Sequence, residues 1–92
     1  MAKVIIPTPL RKFTDNEGTI ELSGKTVIEA IDSLGIIYPN LRGYLLNENG
    51  SLRNFLRIYV GDEDIKVLQK ENTLVDDNSI ISIIPAIAGG LN

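Results

Sequence analysis

Ninety-two residues, 43% hydrophobic and 23% charged with a net charge of −3, describe one globular domain with a core and not a disordered chain. The chain has no cysteine and no histidine, which excludes disulfides, thiolate chemistry, Cys-ligated metals and the commonest general base. Its acidic balance lacks the basic footprint that nucleic acid or anionic lipid demands, so neither is an expected partner.

The opening, MAKVIIPTPLRKF, has an apolar run too short for a signal peptide, and no stretch approaches the ~20 apolar residues that span a bilayer. No membrane partner and a cytoplasmic location are therefore expected. A β-branched strand runs from Lys3 to about Pro7, ended by the prolines at 7 and 9. Asp15, Asn16 and Gly18 supply a turn, and GTIEL alternates, with Ile20 and Leu22 on one face and Glu21 on the other.

KTVIEAIDSLGIIYP carries the clearest helical signal. Thr26 and Glu29 form the S/T-x-x-E capping box. Val27, Ala30, Ile31 and Leu34 then make one apolar stripe at helical spacing. Gly35 weakens the third turn, and Pro39 is expected to end the helix. Residues 40–54 read as turn, with one short helical turn around Leu41 to Leu45.

FLRIYV alternates again, with Leu56, Ile58 and Val60 facing one way and Phe55, Arg57 and Tyr59 the other. GDED reads as a tight turn, IKVL as a short strand and VDDNS as another turn. The last strand, IISIIP, puts Ile81 and Ile83 on one face and Ile80, Ser82 and Ile84 on the other. A terminal strand this apolar belongs in mid-sheet, parallel to the first strand. The predicted fold is a two-layer α+β domain, one main helix on a mixed four- to five-stranded sheet. Its compact part covers residues 1–85.

Pro85 cannot donate to a sheet ladder, so the chain leaves the sheet there. Residues 86–92 then form a separate tail. Ala86, Ile87, Ala88, Gly89 and Gly90 carry no charge and reach about 16 Å when extended. Paired glycines also occur at frayed termini. The other reading is a tail threaded into a partner's narrow site, where glycine permits close approach.

SIISIIPAIAGG resembles the C-terminus of the β-grasp sulfur carriers: the molybdopterin-synthase small subunit, the thiamin sulfur carrier and, most of all, the carrier of cysteine biosynthesis. FLRIYVGDEDIKVL and VIIPTPLRKFT resemble the matching segments of that last carrier, so the resemblance spans essentially the whole chain. It implies the ubiquitin-like β-grasp fold and a role as substrate, not enzyme. A ubiquitin-activating-type adenylating enzyme would use ATP to adenylate the Gly90 carboxylate, and a sulfur donor would convert it to a thiocarboxylate. No cofactor bound by the carrier itself is implied. A sulfur-accepting biosynthetic enzyme would be a further partner, and the free carrier would be a monomer.

This chain departs from that pattern in continuing past Gly90 to Leu91 and Asn92. The resemblance implies processing at Gly90–Leu91 by a zinc peptidase of the JAMM type, as for family members with extra residues. Phe55, Arg57, Tyr59 and Ile84 are the candidate partner-binding surface, an apolar patch rimmed by polar groups. Alternatively, Phe55 and Tyr59 cover a second small core under the 41–50 loop.

The acids of GDED lack the ligand alternation of a calcium loop and read as a solvated turn. Lys3, Arg11 and Lys12 are a scattered surface, too small for nucleic acid. Two rivals to sulfur carriage remain. One is a ubiquitin-like modifier conjugated to lysines through Gly90; the other is a β-grasp interaction module whose tail has no chemistry.

Overall fold

In the computed structural model, residues 1–85 are described. Strands β1 (Ala2–Ile5), β2 (Thr19–Leu22), β3 (Leu56–Val60), β4 (Glu63–Asp64) and β5 (Ile80–Pro85) form one sheet in the order β2-β1-β5-β3-β4. β1 and β5 run parallel at the centre, and the remaining pairs are antiparallel. The apolar terminal strand thus lies in mid-sheet beside the first, because only there are both its edges hydrogen-bonded.

Helix α1 (Val27–Ile37) covers one face of this sheet. Its first turn is fixed by Thr26, whose hydroxyl accepts from the Glu29 amide at 3.3 Å. Glu29 reaches back one residue further than the capping box predicts, its carboxylate accepting from the Lys25 amide at 2.9 Å. The Val27 amide donates to the Thr73 carbonyl at 3.0 Å, and the Val75 amide donates to Lys25 at 2.9 Å. Val27, Ala30, Ile31 and Leu34 are fully buried against Val4, Ile6, Leu22, Ile58 and Ile81.

Two local expectations are corrected and two are extended. First, β1 stops at Ile5, and Thr8–Phe13 continues as a 3-10 helix with proline in its first turn. Proline ends a ladder, yet its fixed φ also suits the start of a helix. Second, Pro39 ends α1 as expected, the helix stopping at Ile37, but it does more. It opens α2 (Pro39–Leu45), which buries Leu41 and Leu45 and makes the region more than a single helical turn.

Third, Gly35 serves as the contact point between the two helices. A Cβ there would lie 3.0 Å from the Arg42 side chain, whose guanidinium pairs with Asp32 at 2.6 Å. Fourth, IKVL is not a strand. Ile65–Val67 is a 3-10 turn capped by the Asp64 carboxylate, which accepts from the Lys66 amide at 2.9 Å. A strand would put Ile65 and Val67 on one face; instead Ile65 is buried and Val67 is 73% exposed. The strand expected there is β4, which takes up the second half of GDED.

Candidate functional site

The face of the sheet away from α1 is built by strand alternation. In β5, Ile81 and Ile83 enter the core, which forces Ile80, Ser82 and Ile84 outward. Register then sets their neighbours. Ile84 lies opposite Arg57, Ser82 lies between Tyr59 and Ile5, and Ile80 lies beside Lys3. Lys3 in turn faces Glu21 on β2. The result is an isoleucine strip along the middle strand, flanked by Arg57 and Tyr59 on one side and Lys3 and Ile5 on the other.

Exposure separates the two faces sharply. Ile80 is 47% and Ile84 46% exposed, whereas Ile81 is at 0%. Ser82 stands between the two exposed isoleucines, and Lys3 and Arg57 flank them, so the face is apolar along β5 and charged at its sides. The two ion pairs among the described residues, Met1–Asp77 and Arg42–Asp32, involve neither Lys3 nor Arg57.

The structure brings Arg57, Tyr59 and Ile84 together on this face, as the alternation predicted. Phe55 sits just before β3 and is 41% exposed, and Leu41, Leu45 and Leu46 join the main core, so no second core forms beneath the 41–50 loop. The aromatic contact in that region is Phe13 with Tyr44, ring centroids 4.7 Å apart. Ile80 shares the face by the same alternation but was not named as a site residue, and Lys3 and Ile5 join it through the register of the parallel β1–β5 pair, which the expected side-by-side placement of the two strands did not specify.

Pro85, the last described residue, lies opposite Leu56 in β5, one residue beyond the Arg57–Ile84 pair. Ala86, Ile87, Ala88, Gly89, Gly90 and Leu91, the expected tail and processing residues, lie outside the described residues. A cleft of about 620 Å³ lies across the sheet, with the core-facing Leu56 and Ile58 in its wall together with Ile65 and Lys70. It is separated from the isoleucine strip by β3 itself.

The Asp77 carboxyl is held below its ordinary range because the Met1 ammonium hydrogen-bonds it at 2.7 Å and adds its charge. Among the described residues, no group of three or more carboxylates is placed to hold a metal ion. No described helix is long and apolar enough to cross a membrane.

Comparison with known proteins places this architecture. The ThiS family model matches residues 4–90, ending at Gly90 and leaving Leu91 and Asn92 outside the match. The sulfur carrier protein CysO of Mycobacterium tuberculosis is 35% identical over 89 residues, covering 95% of this chain and 96% of that protein. A chain of the Amycolatopsis orientalis BexX/CysO complex superposes with a TM-score of 0.88 at 36% identity, covering 98% of this chain and all of that one. The small archaeal modifier protein SAMP1 of Methanosarcina acetivorans superposes with a TM-score of 0.86 at 27% identity, covering 97% of this chain and 95% of that one. A central parallel β1–β5 pair, a single helical layer and a match that runs through the diglycine all agree: this chain is a β-grasp protein belonging to the ThiS family.

Proposed function

We propose that this protein is a sulfur carrier whose working group is the carboxylate of Gly90. The observation that carries the reading is that family likeness extends through the whole domain and stops at the second glycine. Once the Gly90–Leu91 bond is hydrolysed, a Gly90 carboxylate oxygen attacks the α-phosphorus of ATP and pyrophosphate leaves. A sulfide equivalent from a donor then attacks the acyl carbon, AMP leaves, and a thiocarboxylate remains.

The chain supplies no catalytic side chain to these steps. Its part is to present an unhindered terminus, and glycine, lacking a Cβ, is the residue that fits a narrow site. The isoleucine strip with Arg57, Tyr59 and Ile84 docks the activating enzyme, and residues 86–90 enter its site. A JAMM-type metallopeptidase removes Leu91 and Asn92, and a biosynthetic enzyme accepts the sulfur in the cytoplasm. Likeness to CysO favours cysteine as the product class.

The test compares a chain ending at Gly90 with the full chain. Each is incubated with ATP and the activating enzyme of its own host, and pyrophosphate release is followed. The reading expects release only from the shorter chain. Equal release from both, or none from the shorter chain, would contradict it. A second reading, conjugation to lysines through Gly90, draws support from the likeness to SAMP1. It predicts isopeptide-linked adducts in host extract, which a pure carrier does not leave.

A further inference from the structure

We propose that Asn49–Gly50 is a site of spontaneous covalent modification, at which the Asn49 amide is lost through a cyclic imide. The inference is independent of the carrier reading. Residues 47–51 form a turn closed by the Leu46–Leu52 bridge, with the Asn47 amide donating to the Ser51 carbonyl at 2.8 Å. Asn49 lies at the exposed tip.

Two asparagines in this turn have opposite fates. The Asn47 side-chain oxygen accepts from the Asn49 amide at 2.9 Å and from the Ser51 amide at 3.1 Å, so its carboxamide is held in place. The Asn49 carboxamide takes part in none of the hydrogen bonds of the described residues and is free to rotate toward the following peptide nitrogen. That nitrogen belongs to Gly50, which has φ +79° and open space where a Cβ would stand. No side chain obstructs ring closure.

The other described asparagines, at 16, 40, 47, 54, 72 and 78, precede Glu17, Leu41, Glu48, Phe55, Thr73 and Ser79, each of which carries a Cβ. One contact opposes the reaction. The Gly50 amide donates to the Asn47 carbonyl at 3.0 Å, and this bond must open first. The folded chain should therefore react somewhat more slowly than the unfolded one.

The step balances without an oxidant or reductant. The Gly50 nitrogen gives its proton to hydroxide and bonds to Asn49 Cγ; the Cγ–Nδ2 bond breaks, the water so formed returns a proton to the departing nitrogen, and ammonia leaves. Water then opens the imide. Attack at Cγ yields aspartate, and attack at the main-chain carbonyl yields isoaspartate, with the backbone rerouted through Cβ. Either product adds one negative charge to a chain of net charge −3.

The experiment ages the folded full-length chain at mildly alkaline pH and resolves acidic forms by ion exchange. Peptide mass mapping locates the change, and methyl transfer from S-adenosylmethionine by an isoaspartyl methyltransferase counts the isoaspartate. The expected result is an acidic form altered at Asn49, faster at higher pH, with Asn47 and Asn78 intact. Gly50→Ala should slow its appearance about tenfold, because a Cβ then crowds the attacking nitrogen. Asn49→Ser keeps Gly50 unstrained and should abolish the form altogether. Acidic forms arising first at another asparagine, or surviving Asn49→Ser unchanged, would overturn the proposal. So would a folded chain that stays intact while the urea-unfolded chain reacts.

Discussion

Ile81 and Ile84 stand three residues apart on β5, and truncating each should affect different properties. Ile81 is fully buried in the core, so Ile81→Ala should cost about 2–5 kcal/mol from lost burial and the cavity left behind. A domain of this size has only about 5–14 kcal/mol in total, so the variant loses a large share of it. Ile84 is 46% exposed on the outer face, and its truncation should change stability by less than about 1 kcal/mol.

Binding should show the reverse. Full burial of an isoleucine is worth about 1.5–3 kcal/mol, and close to half of that remains to be gained when a partner covers Ile84. Ile84→Ala should therefore weaken docking on the activating enzyme by about 1 kcal/mol, roughly fivefold in Kd. Urea unfolding gives the first quantity, and calorimetric titration at a temperature where both variants are folded gives the second. Equal stability losses at the two positions would refute the face assignment. Unchanged affinity for Ile84→Ala would refute the docking surface.

Other outcomes follow from local geometry. A Cβ at Gly24 would lie 2.8 Å from the Ala30 backbone nitrogen, so Gly24→Ala should cost about 1–3 kcal/mol in urea unfolding. Gly43, inside α2 with open space around it, should instead gain about 0.5–1 kcal/mol on replacement by alanine. Thr26→Ala removes the α1 cap and should cost about 1 kcal/mol in the same assay.

The Asp77 carboxyl, titrated by NMR, should ionise below its ordinary value of 3.8 and return toward it when the amino terminus is acetylated. A depressed folded-state pKa contributes stability above the unfolded value that fades as pH falls through the folded one. This pair is open to solvent, so added salt should erase that contribution.

What was legible in the sequence is what depends on periodicity. The α1 stripe, the alternation of β3 and β5, and the central place of the isoleucine-rich strand all follow from which positions are apolar. The misses are of another kind. Pro39 ends α1 as read, but the full length of α2 and the Thr8–Phe13 turn were missed, because proline both ends one element and opens the next. Ile65–Val67 looked like a strand from its β-branched residues, but the Asp64 cap and the burial of Ile65 alone turned it into a 3-10 turn. Lys3 and Ile5 joined the outer face of β5 through the register of the parallel β1–β5 pair; the side-by-side placement was legible, but no local pattern encodes the register of residues almost eighty apart.

The most direct test of the account is the intact mass of the protein isolated from its own host during sulfur-limited growth. The account predicts loss of Leu91 and Asn92, with part of the population carrying sulfur in place of one oxygen at the new Gly90 terminus. A uniform full-length mass under those conditions would mean that Gly90 is never released, and would contradict sulfur carriage through it.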